Sequence, residues 1–131
     1  MGLDMYLRGR KYVIHNYDDP MDNPTMDGYS VVSYEIELGY WRKHPNLHGY
    51  IVQTFGGGQD NCQEIELNEE AIVQILDAIK EKRLPATKGF FFGDSDGTEA
   101  EEDIEIFTKA LEWLSEKAKY QIRTIYYQAS W

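Results

Sequence analysis

Residues 29–43 constrain the fold more than any other part of the chain. Apolar and polar side chains alternate through this segment, with Val32, Tyr34, Ile36, Leu38 and Tyr40 in one set of positions and Ser33, Glu35, Glu37 and Trp41 in the other. A period of two predicts a β-strand with one buried face and one wetter face, as in an antiparallel sheet. Pro45 suits the first turn of a following helix, with His44 at its cap. The pattern therefore predicts a strand that leads directly into a helix.

The remaining elements are predicted from the same periodicities and from end signals. Residues 2–14 favour a partner strand, in which Gly9 indicates a bulge or the close approach of another backbone. The other predictions, in chain order, are a long mobile loop at 16–28, a helix at 45–54 ended by the glycines 56–58, a strand at 62–67, a helix capped by Asn68 and ended before Pro85, a short strand or packed loop at 90–92, a helix after a capping box of Thr98 and Glu101, and a closing strand at 121–131.

This order of elements predicts the fold class. A chain of 131 residues suits one domain with one hydrophobic core. We therefore predict a single α+β domain over residues 1–131, in which about three helices pack on a largely antiparallel sheet of about four to five strands. The closing strand carries apolar groups on both faces, so we expect it inside the sheet.

The charge balance excludes a large class of partners. The net charge of −10 repels phosphate backbones, so we expect no direct binding to nucleic acid. Cys62 is the only cysteine and cannot form an intramolecular disulfide, which favours a reducing compartment. No apolar run is long enough for a membrane span, and the first residues lack the order of a signal peptide. We therefore expect a cytoplasmic protein without membrane association.

Two glycine-containing segments resemble ligand-binding loops and depart from them at the positions that matter. The glycines 56–58 lack the Lys-Ser/Thr of a phosphate loop and follow a predicted helix, so we interpret them as a helix stop. Residues 94–97 suggest a calcium loop, but its first ligand position would be Phe92 and its twelfth Asp103. Acidic loops at 18–28 and 94–103 leave a weak cation site open as an alternative to a solvated loop.

The remaining chemistry-bearing residues do not predict an active site. His44 and His48 stand four apart and could share a helix face, but no glutamate lies between them as in a zinc-binding helix, and His15 is distant in sequence. Glu35 and Glu37 lie on one strand face, a pattern that suits a general acid only where the pair is enclosed. We predict no catalytic residue, no metal and no cofactor.

A binding site is instead predicted where the strand turns into the helix. Arg42 offers bidentate recognition of a carboxylate or phosphate, and Trp41 offers a stacking surface. The predicted ligand-binding residues are Trp41, Arg42, Lys43 and His48, with Phe91, Tyr127 and Trp131 completing the wall. In the alternative interpretation, Trp41 packs under a neighbouring element while Arg42 and Lys43 pair with some of the many carboxylates.

Four segments spread along the chain carry a resemblance to a known family. They are residues 1–7 (MGLDMYL), 37–43 (ELGYWRK), 89–93 (GFFFG) and 126–131 (YYQASW). Together they resemble a family of small uncharacterised proteins of bacteriophages, prophages and bacterial genomes. The resemblance implies a phage or prophage origin, an accessory role and residence in the host cytoplasm. It implies no activity and no catalytic residue.

Two hypotheses of function follow. The first is a non-enzymatic accessory protein that binds a host or phage macromolecule, with an inhibitor of a nucleic-acid-binding protein as one version. Small size, strong negative charge and the lack of catalytic motifs favour it. The second is a protein that binds or sequesters a small ligand, a nucleotide or another anion, at the predicted site near Trp41, Arg42, Lys43 and His48.

Overall fold

The protein combines three helices with a mainly antiparallel sheet in the part of the chain that can be described. The structure, a computed structural model, describes residues 2–87, 99–116 and 120–131. Its elements are β1 (Asp4–Val13), a short 3-10 helix (Pro20–Asp22), β2 (Thr25–Met26), β3 (Tyr29–Ser30), β4 (Ser33–Arg42), α1 (Pro45–Phe55), β5 (Ile65–Glu66), α2 (Glu69–Lys80), α3 (Ala100–Ser115) and β6 (Gln121–Ser130). The predicted α+β class is confirmed. The predicted strand at 90–92 and the residue Thr98 lie outside the described residues.

The main sheet has the strand order β4-β1-β6-β5, and every pair is antiparallel. The prediction that residues 2–14 pair with β4 is confirmed, as is the interior position of β6. The predicted strand at 62–67 is shorter than expected, because only Ile65 and Glu66 pair with β6.

A bulge near the middle of β4 changes which side chains enter the core. Leu7 pairs with Gly39 and Arg8 pairs with Glu37, so Leu38 is an extra residue in β4. One extra residue shifts the alternation of every later side chain to the opposite face. The sequence-based assignment of faces is therefore wrong beyond Leu38. Trp41, predicted on the wetter face, is buried in the core.

The sequence predicts a bulge or the close approach of another backbone at Gly9. The register shift lies next to Gly9, between Leu7 and Arg8, and Gly9 itself is approached by a side chain. A Cβ atom at Gly9 would stand 2.7 Å from Cη2 of Trp113 in α3, so an indole ring, and not a backbone, approaches the strand. Gly39 on β4 is in the same situation, since its Cβ would stand 2.7 Å from Cγ2 of Ile106. The two glycines allow α3 to pack closely on the sheet.

The helices cover one face of the sheet and enclose the core. The predicted starts of α1 and α2 are confirmed: Pro45 is at the first turn of α1, and the Asn68 side chain accepts a hydrogen bond from the Ala71 amide at 2.8 Å. Gly57 and Gly58 follow α1 with φ of 70° and 75°, a backbone that favours glycine. Within the described residues, no helix is both long and apolar enough to cross a membrane.

Residues 16–32, here named the acidic arm, connect β1 to β4. The buried side chain of Asn16 accepts hydrogen bonds from the amides of Asp18 and Asp19, both at 3.1 Å. The Asn16 amide in turn donates to the Asn23 side chain at 2.8 Å. Strands β2 and β3 form a hairpin whose turn, Asp27-Gly28, has φ of 53° and 83°. The sequence predicts this loop without its hairpin.

Candidate functional site

Trp41 and His44 share one buried carboxylate. Asp103, in the first turn of α3, is 1% exposed. Its Oδ1 accepts a hydrogen bond from Trp41 Nε1 at 2.6 Å, and its Oδ2 lies 2.7 Å from His44 Nε2. The Trp41 ring also stacks on Phe107, with centroids 5.5 Å apart. A buried carboxylate without partners is costly, so the contacts of Asp103 with Trp41 and His44 hold the start of α3 next to the end of β4.

His48, one turn further along α1, belongs to a second group. This imidazole is 2% exposed. Its Nδ1 lies 2.5 Å from the Tyr127 hydroxyl, and its Nε2 lies 2.9 Å from Asp60 Oδ2. The other Asp60 oxygen accepts a hydrogen bond from Trp131 Nε1 at 3.2 Å. His48, Tyr127 and Trp131 are therefore brought together, with Asp60 as the residue that joins them.

The chemistry of the His48 group fits a satisfied interior cluster. Both ring nitrogens of His48 are used, Nε2 by Asp60 and Nδ1 by the Tyr127 hydroxyl. Burial, with a further contribution from the Asp60 charge, raises the pKa of Tyr127 well above its usual value. Tyr127 is therefore a neutral donor at physiological pH, and neither His48 nor Tyr127 reaches the surface without rearrangement.

The other predicted site residues lie in different surroundings. Arg42 alternates with Trp41 along β4, is exposed, and lies 3.9 Å from Asp4. Lys43 is exposed and has φ of 56°. Phe91 lies outside the described residues. The structure thus does not bring Trp41, Arg42 and His48 into one pocket, and anion binding at this corner stays a prediction.

The sheet face opposite the helices is occupied by paired charges. Arg10 Nε donates to Glu35 at 3.0 Å, and its NH2 group donates to Glu64 at 2.5 Å. The hydrogen bond to Glu64 is the largest cause that raises the pKa of Arg10, and the hydrogen bond to Glu35 is the second. The hydrogen bond between Arg10 and Glu64 also lowers the pKa of Glu64. The guanidinium also lies 4.4 Å from the Tyr126 ring centroid. Glu35 is therefore ion-paired and exposed, unlike an enclosed general acid.

The acidic arm differs from this face in how its charges are balanced. Its four aspartates, Asp18, Asp19, Asp22 and Asp27, are accompanied by no lysine or arginine within the arm. None of them is ion-paired to any Lys or Arg in residues 2–87, 99–116 and 120–131. Over the same three ranges, no group of three or more His, Cys, Asp or Glu side chains has the geometry to hold a metal ion.

The arm also exposes large apolar side chains. Five of them are between 64% and 93% exposed: Tyr17, Met21, Met26, Tyr29 and Val32. Met26 and Tyr29 are paired across the hairpin, so their side chains lie on the same face of it. The arm therefore presents contiguous chain that is both acidic and apolar, a composition typical of a contact surface.

Sequence reasoning identified the acidic loop at 18–28 without its exposed apolar residues, and it missed the roles of Asp103, which is buried, and of Asp60, which is partly exposed. Asp103 is in phase with the buried Phe107 and Ala110 of α3, so its spacing indicates an acidic residue on the core face. Tyr17, Met21 and Met26 of the arm follow no helical or strand period that would bury them, whereas Tyr29 and Val32 belong to the segment predicted as a strand. Asp60 left no local signal, because its partners are distant in sequence.

Comparison of the chain with protein-family models, curated protein sequences and solved structures found no match.

Proposed function

We propose that this protein is a non-enzymatic accessory protein that binds a basic surface of a host or phage protein through its acidic arm. The observation that supports the proposal is the coincidence, in residues 16–32, of four aspartates without a cationic partner among the described residues and five exposed apolar side chains. The resemblance to phage and prophage proteins directs the search for a partner to a bacterial host or its phage.

Charge determines the class of partner. The arm adds its carboxylates to a molecule with a net charge of −10, so it attracts a cationic surface at long range and repels phosphate backbones. The charges are exposed, so they contribute mainly to the association rate and are screened by salt. A surface with which a protein binds nucleic acid has the matching charge, and occupying it would inhibit that protein.

The apolar side chains supply the contact that charge alone does not. Tyr and Met are enriched at protein interfaces, where Tyr combines a large apolar area with a polar tip and Met adapts to irregular surfaces. Met26 and Tyr29, next to each other at the hairpin tip, are suited to enter a shallow apolar depression in the partner. We expect these two residues to control how slowly the complex dissociates.

The first test removes the apolar contact. Tagged wild-type protein and the variant Met26→Ser/Tyr29→Ser are used to capture proteins from the cells in which the protein is naturally produced, at low salt. The control, Val73→Ser/Ile122→Ser, removes two exposed apolar side chains from α2 and β6 instead. We expect a basic protein to be captured by the wild type and by the control, and at least tenfold less by the arm variant.

The second test removes charge from the arm. Asp22→Asn/Asp27→Asn is compared with Glu70→Gln/Asp77→Asn, which removes the same charge from the exposed side of α2. Asn tolerates the positive φ at position 27. We expect only the arm variant to weaken the capture and to reduce its dependence on salt. An acidic captured partner, no captured partner, or equal capture by arm and control variants would contradict the proposal.

A further inference from the structure

A cleft of about 410 Å³ lies between the base of the acidic arm, the end of the sheet and α3. Its walls are mainly apolar and aromatic, with Val13, Tyr34, Ile36 and Trp113 among the lining residues. This volume is in the range of sites that bind small molecules, roughly 300–1,000 Å³. The cleft is separate from the buried groups around His44 and His48, none of whose members lines it.

Lys11 provides a positive charge at the wall of the cleft. This lysine lines the cleft, is partly buried, and places Nζ 5.5 Å from the Tyr34 ring centroid. In a chain with 23 Asp and Glu residues, no carboxylate of the described residues lies within ion-pairing distance of it. A partly buried ammonium beside aromatic walls, with no carboxylate partner there, is suited to the charged end of an aromatic anion.

We propose that this cleft binds a small aromatic monoanion, with its acidic group on Lys11 and its ring between Trp113 and the apolar side chains of β4. Asp22 is the only acidic residue among the described lining residues. It is exposed on the arm, where water screens its charge, whereas Lys11 is partly buried on β1. The two groups therefore favour an anion that enters with its charge toward the sheet. The proposal does not depend on the acidic arm binding a protein.

The test uses two probes of the same ring system. 8-Anilinonaphthalene-1-sulfonate carries an aromatic body and one negative charge, and N-phenyl-1-naphthylamine is its neutral counterpart. Fluorescence titration of the native protein is expected to show one saturable site for the sulfonate. Lys11→Gln is expected to weaken sulfonate binding about five- to tenfold and to leave the neutral probe unchanged. Lys80→Gln, the same charge change at the exposed end of α2, is the matched control.

Two further variants locate the site and determine the sign of the ligand charge. Ile36→Asp places a carboxylate in the cleft and should abolish sulfonate binding, whereas Ile122→Asp, on the opposite sheet face, should not. Asp22→Asn should leave the binding unchanged or strengthen it. The proposal is overturned if no saturable site is found, if Lys11→Gln and Lys80→Gln act equally, or if Asp22→Asn weakens binding while Lys11→Gln does not. Circular dichroism confirms that each variant is folded.

Discussion

At the scale of single residues, the interior of this protein is organised by polar groups that satisfy one another. Asp103 uses both carboxylate oxygens for Trp41 and His44, and Asp60 uses both for His48 and Trp131. The contacts of Asp103 and the contact between Asp60 and Trp131 join segments that are far apart in sequence, whereas His48 and Asp60 are 12 positions apart. A buried group of this kind is costly when one partner is removed, so these residues specify the position of α1 more strictly than apolar packing alone.

Tyr127 provides a prediction of pH dependence. Its pKa in the folded protein is raised well above 10.0, so the folded state retains the phenolic proton at a pH where the unfolded chain loses it. A raised pKa contributes stability that is complete below about pH 10 and declines as pH rises from there toward the folded pKa. Urea unfolding between pH 8 and 11 should show this decline, and Tyr127→Phe should make it shallower. At pH 8 the same variant should cost about 1–2 kcal/mol, because His48 loses a hydrogen-bond partner.

Tyr29→Phe is the control for this measurement. Tyr29 is exposed at the hairpin tip, so we expect its replacement by Phe to leave the stability and its alkaline decline unchanged. Absorbance at 295 nm follows phenol ionisation directly. The explanation would be wrong if the Tyr127→Phe protein kept the full alkaline decline, or if Tyr127 ionised in the folded protein without a raised pKa.

At the scale of elements, features that depend on local residues could be predicted from the sequence, and features that depend on long-range pairing could not. Pro45 and Asn68 mark helix starts because a fixed φ and a side-chain acceptor act within one turn. The bulge at Leu38 could not be predicted in this way, because nothing in an alternating pattern tells which residue lacks a partner on the neighbouring strand. The undetected bulge also affects the predicted binding site, because it places Trp41 in the core and not on the wetter face.

Packing of α3 on the sheet gives a prediction at the same scale. Gly9→Ala should destabilise the protein by about 1–3 kcal/mol, because its Cβ would stand 2.7 Å from the far edge of the Trp113 ring. Trp113→Phe removes that edge, so Gly9→Ala should cost at least 1 kcal/mol less in this background. Denaturant unfolding of the two single variants and the double variant measures the coupling.

Gly39→Ala tests whether the coupling is specific. Its Cβ would meet Ile106 at 2.7 Å and not the ring of Trp113, so Trp113→Phe should not relieve it. Equal rescue of both glycine variants would indicate that Trp113→Phe loosens the whole interface between α3 and the sheet. In that case the close approach at Gly9 would not be the cause.

At the scale of the whole molecule, the features that stabilise the fold and those that suit binding of a protein partner are on different parts of the chain. The buried hydrophobic core draws its residues from β1, β5, β6 and the helices, with Trp41 from β4 and with Leu3 and Leu67 next to strands, and includes none from residues 17–31. The ion pairs of the described residues also lie outside the arm. Exposed apolar side chains that contribute no buried area are better explained by contact with a partner than by folding.

This separation predicts that the arm can be removed without loss of the fold. The ends of the arm are held together, since the Val13 amide donates to the Val32 carbonyl at 2.9 Å. A short Gly-Ser linker in place of residues 16–31 should therefore close the gap without leaving the buried Asn16 side chain unpaired, and shortening a loop changes closure entropy by less than about 1 kcal/mol. Denaturant unfolding should remain cooperative with a stability within about 1 kcal/mol of the wild type, while capture of the basic partner is lost. Loss of cooperative unfolding would instead mean that the arm is part of the folded core, and its exposed Met and Tyr residues would need another explanation.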